Sequence, residues 1–162
     1  SLPDFPIHSP SFTEGRERYH IRMAKTFTLI FGIILVLLGL LGFTSNSLIG
    51  ANALFAADTI HNVIHIVLGG ILLGVAFWAS ENSVFWLKVT GAVVFLLGVI
   101  GLLTIPSTGG SLLGIAYSNG ASDWLHLVLG VVIFVAGMYG KDTHDTGMLP
   151  MSSQHPKHQR MM

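Results

Sequence analysis

The chain contains no cysteine, and only 10% of its 162 residues are charged. Without thiols there is no disulfide framework, no zinc–thiolate site and no iron–sulfur cluster. An ordinary soluble domain carries about 25% charged residues, so the polar surface of a water-soluble fold is missing. Basic and acidic side chains balance at eight each. No basic excess recruits nucleic acid. A phosphate-binding loop, a dinucleotide fingerprint and a Ser or Cys nucleophile motif are all absent from the sequence. The chain therefore reads as a non-enzyme.

What fills the sequence is apolar: 51% of residues are hydrophobic and the mean hydropathy is +0.69. Four apolar runs stand out, at about Thr26–Phe43, Thr59–Ala79, Val84–Ile105 and Trp124–Tyr139. A bilayer core of about 30 Å takes roughly 20 helical residues to cross. The fourth run is short and is expected to begin a turn earlier or to draw in residues from about Ile115. Helices are expected because lipid offers no partner to free backbone groups. The first run follows some 25 mostly polar residues and precedes no small-residue cleavage site, so it is expected to remain as a membrane span.

The basic residues imply an orientation. Arg16, Arg18, Arg22 and Lys25 precede the first run, Lys88 lies near the short link between the second and third, and Lys141, Lys157 and Arg160 follow the fourth. The other two loops, Thr44–Asp58 and Pro106–Asp123, hold no Lys or Arg. The positive-inside rule then puts both termini in the cytoplasm. Residues 1–25 and 141–162 read as cytoplasmic tails flanking a transmembrane domain over 26–140. The N-terminal tail has a proline-rich start and then a basic, helix-like run that suits anionic headgroups. The three histidines of the C-terminal tail, His144, His155 and His158, are irregularly spaced and read as solvated. Phe77, Trp78, Phe85 and Trp86 cluster at one membrane edge as an aromatic belt or a surface for a protein partner.

The sequence also repeats itself. "GIILVLLGLLG" from Gly32 matches "GAVVFLLGVIG" from Gly91 at an offset of 59, and "NVIHIVLG" from Asn62 matches "DWLHLVLG" from Asp123 at an offset of 61. The loops "SLIGANALF" and "SLLGIAYSN" also correspond. This pattern predicts an all-α, integral membrane four-helix bundle built from two parallel two-helix hairpin repeats, 26–80 and 84–140. The spaced glycines let helix backbones approach closely, and helices 1 and 3 are the expected inner contacts. The short link at Ala79–Ser83 makes helices 2 and 3 expected antiparallel neighbours.

The repeated N/D-x-x-H-x-x-x-G, carried by Asn62, His65 and Gly69 and by Asp123, His126 and Gly130, together with "GLLGF" at the end of the first run, resembles a bacterial family of small four-helix membrane proteins of unknown function. The resemblance covers about Thr26 to Gly140. It implies the four-span topology and no activity.

The candidate site residues are His65, His126, His61, Asn62 and Asp123. Asp58 stands at an N-cap position. Asp58, His61, Asn62 and His65 share one helix face through spacings of three and four. His65 lies about 10 Å further along the helix than Asp58, inside the apolar layer. His61 has no counterpart in the second repeat, where Ser122 stands, so the weight falls on His65 and His126.

Several roles fit. The imidazoles can tie helix 2 to helix 4, each steadied by the Asn or Asp one turn earlier. His65 and His126 can act as metal ligands of a macrocycle, either the magnesium of chlorophyll or bacteriochlorophyll, or the iron of a haem b held between both histidines. The glycine one turn later leaves room for a flat ring. Proton passage is disfavoured because the ionisable residues stop halfway across. A zinc pair from His61 and His65 has the right spacing but no catalytic Glu beside it. The reading is an accessory subunit of a larger membrane complex, photosynthetic or respiratory, in a bacterial inner or photosynthetic membrane. Its partners are the larger subunits and lipids, and the candidate occupant beside the histidines is a lipid or a pigment, namely chlorophyll, bacteriochlorophyll or a carotenoid. The alternative is a b-type haem electron carrier.

Overall fold

The computed structural model describes residues 12–44 and 46–139. In chain order these form α1 (Phe12–Leu41), β1 (Ile49–Gly50), β2 (Phe55–Ala56), α2 (Thr59–Trp78), a 3-10 turn (Ser80–Asn82), α3 (Ser83–Thr104), β3 (Gly110–Leu112), β4 (Ala116–Ser118) and α4 (Gly120–Tyr139). The basic run ahead of the first apolar segment is helical and continuous with it. The proline-rich start and the three C-terminal histidines lie outside the described residues.

All four helices contain a stretch long and apolar enough to cross a membrane: Arg22–Leu41, Thr59–Trp78, Ser80–Thr104 and Gly120–Tyr139. Only a third of each stretch is buried inside the protein. The outward faces carry Leu, Ile, Val and Phe, such as Leu37, Val67, Leu96 and Val128, each more than half exposed. Polar side chains, among them Thr28, Asn62, Ser83, Thr90 and Asp123, are turned inward and almost fully buried. This inversion suits a solvent of hydrocarbon, which has no hydrogen bonds to offer a polar group. The chain is thus a multi-pass, mostly helical protein built for a membrane.

The helices pair in sequence order, α1 along α2 and α3 along α4, with much thinner contact between the pairs. Glycine sets both pairings. Gly32 of α1 faces the Gly69 carbonyl of α2, and Gly91 of α3 faces the Gly130 carbonyl of α4. A methyl group on Gly39 would stand 2.6 Å from the Asn62 carbonyl oxygen, and one on Gly98 2.6 Å from the Leu127 nitrogen. Carbon contacts are comfortable only at about 3.5–4.0 Å, so hydrogen alone fits at both places. One turn further, Gly42 makes room for the Asn62 amide and Gly101 for the Asp123 carboxylate. Two expectations change here. The glycines of α1 and α3 do not bring those helices together; each set seats its own hairpin partner. Helices α2 and α3 are joined by the short turn but diverge from it, because each is already committed along its glycine face.

The two ends of the molecule differ. At the turn end, Ala24, Val84, Leu87 and Ile133 form a small buried core joined by Phe27 and Phe31, which brings α1 against α3 and α4. At the other end lie the four short strands. β1 and β2 meet in a two-residue parallel bridge, and β3 and β4 form an antiparallel hairpin. Its turn centres on Leu113 and Gly114, both with positive φ (54° and 72°), closed by the Ile115 amide donating to the Leu112 carbonyl at 3.0 Å. Both central residues being left-handed marks the turn geometry that matches strand twist. Residues 115–119 are turn, strand and connector, so α4 gains its length by starting at Gly120 and not by extending back to Ile115.

Candidate functional site

The strand end of α2 is held by its N-cap. The Asp58 carboxylate accepts the His61 backbone N–H at 2.8 Å. That cap fixes the rotation of the first turns and so aims His61 and His65 inward. The matching end of α4 is capped by Asn119, whose side-chain oxygen accepts the Ser122 N–H and hydroxyl, both at 3.0 Å. Asn119 also reaches the first hairpin: its oxygen accepts the Ala56 N–H at 3.3 Å and its amide donates to the Leu54 carbonyl at 3.2 Å. The Ser122 hydroxyl lies 3.1 Å from the Ala56 carbonyl. One asparagine thus both starts α4 and stitches the two hairpins together.

The stitched end brings three imidazoles together. The rings of His61 and His65 meet edge to face at 4.7 Å between centroids. His126 of α4 stacks on His61 at 5.3 Å, with 23° between planes, and approaches His65 at 6.1 Å. One nitrogen from each ring lies within 4.8 Å of the others. His61 is 93% buried, since only 7% of its surface is exposed, and the other two are partly buried. His61 Nδ1 lies 3.0 Å from the Tyr117 carbonyl oxygen. A carbonyl can only accept, so this nitrogen carries the proton and the lone pair of the neutral ring is on Nε2. His65 Nδ1 and His126 Nδ1 are buried with no hydrogen-bond partner.

A small cavity of about 160 Å³ adjoins the cluster between the hairpins, with Leu38, Leu68 and Leu129 in its wall and Leu112 over it. A second hollow of about 150 Å³ touches the same three rings on the side of Leu48, Phe55 and Ser122.

The structure brings His61, His65 and His126 together and leaves Asn62 and Asp123 in a different role. Neither is hydrogen-bonded to a histidine. Asn62 rests against Gly42 with its Oδ1 unpartnered. Asp123 rests against Gly101 and accepts the Ser118 hydroxyl at 2.6 Å, with its other oxygen unpartnered. Both face the partner helix of their own hairpin. The expectation that these residues steady the imidazoles is thereby corrected. His61 changes standing too: the residue without a counterpart in the repeat is the one that touches both of the others. The sequence reading missed Asn119 and the Tyr117 carbonyl. Asn119 carried a signal, an Asx residue at the head of the fourth helix; a backbone carbonyl carries none.

With this geometry in place, a family model for a domain of unknown function, DUF4383, matches residues 25–139. The chain belongs to the DUF4383 family. No curated protein and no solved structure matches it. The DUF4383 match begins at Lys25, inside α1, and ends at Tyr139, the last residue of α4. Both hairpins and all three histidines therefore lie inside the DUF4383 region.

Proposed function

We propose that this protein is a non-enzymatic accessory subunit of a larger membrane assembly and that it holds a ligand at His61, His65 and His126. The convergence of three buried or half-buried imidazoles, two with an unpartnered Nδ1, carries the reading. Orphaned buried polar atoms are scarce in folded proteins and call for a missing partner. Ionisable side chains within a membrane layer are costly and mark function by default. The broad apolar faces of all four helices are available to lipids and to larger subunits. No nucleic acid partner is proposed.

The proposed setting is a bacterial inner membrane or a photosynthetic membrane. The chain is read there as two parallel hairpin repeats with both termini cytoplasmic. Equivalent glycine contacts at offsets of 59 and 61 support the repeat. The absence of Lys and Arg from residues 44–58 and 106–123 supports the orientation. The histidines then lie in the outer half of the bilayer.

Two ligand classes are proposed: a pigment, either a chlorophyll or bacteriochlorophyll whose magnesium a histidine can hold or a carotenoid packed beside the cluster, and a haem b between His65 and His126. Cofactor pockets run to roughly 300–1,000 Å³, and the cavity beside the cluster is about 160 Å³. A macrocycle would have to enter from the lipid face or from a neighbouring subunit. The haem alternative draws on the 6.1 Å approach of the His65 and His126 rings; the His61 ring crowding both of them weighs against it.

The test is an absorption spectrum across a size-exclusion peak after native extraction in mild detergent. A large particle with red or near-infrared bands, lost on His65→Leu, supports a pigment-holding subunit. A small particle with a redox-sensitive Soret band replaces the accessory role with electron transfer. A lone particle without any ligand overturns the proposal.

A further inference from the structure

We infer that His61, His65 and His126 form a three-nitrogen site for one divalent first-row metal ion, with a fourth coordination position open to the apolar cavity. The inference rests on the proposal that this cluster is a ligand site, and it names the ligand class.

Distance comes first. Three points no more than 4.8 Å apart all lie within about 2.8 Å of a common centre. Imidazole nitrogens bind zinc at about 2.0–2.1 Å. Each ring therefore has to move inward by about 0.7 Å or less, a small side-chain adjustment.

The donors are also prepared for a cation. His61 donates Nδ1–H to the Tyr117 carbonyl at 3.0 Å. This is the outer contact that metal-bound histidines characteristically make, because it fixes the ring and leaves the other nitrogen free to coordinate. His65 and His126 bring buried nitrogens with no partner at all. In a neutral imidazole one ring nitrogen carries a lone pair, and no protein donor claims the Nδ1 of either ring. Three neutral imidazoles, with no thiolate in the sequence, suit zinc, copper, iron or nickel over magnesium or calcium.

Acidic residues lie close to the cluster along the chain. A cation buried in an apolar layer is costly unless matched. Asp58 caps the helix that bears His61 and accepts that residue's own N–H at 2.8 Å. Asp123 lies one turn before His126, and its Oδ1 takes the hydroxyl of Ser118, the neighbour of Tyr117. Each hairpin thus carries one acidic side chain three residues before a histidine of the cluster.

Three protein ligands complete a structural zinc site only with a fourth; catalytic and ligand-binding sites hold three and leave one position open. Among the described residues no fourth histidine or carboxylate joins the cluster. Apart from the three histidines the cavity wall is aliphatic, mostly leucine and isoleucine. The open position would accept water or a small neutral molecule.

The test uses the full chain purified in detergent, stripped with a chelator and titrated with Co(II), with Zn(II) as competitor. The expected result is one equivalent giving an intense visible band of a four-coordinate ion, displaced by Zn(II). His126→Leu should weaken this binding by more than about 100-fold, beyond what loss of an outer contact does. The five tail histidines are unchanged in that variant and form a constant background. Should His126→Leu misfold by circular dichroism, His65→Gln serves in its place, since its amide preserves volume and polarity. No intense band, or a band unaffected by either variant, overturns the inference. Pigment or haem retained by a protein that gives no Co(II) band overturns the metal while leaving the ligand-site proposal standing.

Discussion

Replacing Gly98 by alanine should split the second hairpin. The new methyl would lie 2.6 Å from the Leu127 nitrogen and 2.7 Å from the Asp123 carbonyl oxygen. Both obstacles are backbone, so no side-chain rotation removes them. Reaching an ordinary contact of about 3.5 Å requires α3 and α4 to part by about 0.9 Å. A gap of that size forfeits roughly a quarter to a half of the dispersion energy along the seam. It also disturbs the Gly91–Gly130 contact one side of it and the seat of Asp123 on the other. Overpacking of this kind costs about 1–3 kcal/mol. The higher helix propensity of alanine, worth about 1 kcal/mol in water, offers little relief, because chains unfolded in detergent keep much of their helix. The assay is unfolding by sodium dodecyl sulfate in mixed micelles, followed by tryptophan fluorescence. Gly70→Ala is the control, since nothing lies within 4 Å of that position, and it should leave the midpoint unchanged. Equal midpoints for the two variants would refute the account of glycine as the hairpin fastener.

Three other outcomes are expected. Asn119→Ala should cost about 1–2 kcal/mol as a lost N-cap and, unlike an ordinary cap deletion, should speed hydrogen exchange at the Ala56 amide of the other hairpin; unaltered exchange there would mean that the stitch is not sustained. Leu113→Asn should raise stability by up to about 1 kcal/mol, because leucine at a φ of 54° carries a left-handed penalty that asparagine tolerates better; a fall would show that its side chain is needed over the cavity. Since the chain has no cysteine, single cysteines at Ser111 and Glu81 can be labelled in intact cells with an impermeant maleimide. Ser111 should react and Glu81 should not, and the reverse pattern would invert the proposed orientation.

The spans were legible because a bilayer imposes one requirement over a whole run of residues. Their ends shifted by only a residue or two for α2 and α3. The glycine register was legible too, yet it did not disclose which helix each stripe would meet. A stripe of small residues declares a close approach without naming the other party, and the glycines expected to bring α1 to α3 instead seat each helix on its own hairpin partner. The same holds for polar residues. Asn62 and His65 share a helix face, so spacing alone made them partners; the pocket opened by Gly42 is what draws Asn62 aside. His61 was undervalued for a related reason. Repeat symmetry favours positions that recur, whereas the histidine cluster is built on one that does not. Its partner, the Tyr117 carbonyl, belongs to a strand 56 residues away and has no side-chain signature.

The thin contact between the hairpins has a consequence for how the protein is made. The first hairpin leaves the ribosome with its glycine seam complete and can close in the membrane at once. His61 and His65 are then already side by side. The carbonyl that orients His61 and the third imidazole both arrive on the second hairpin, many residues later. Assembly of the histidine cluster therefore waits for the second hairpin, and a chain truncated after α2 would carry His61 and His65 without it.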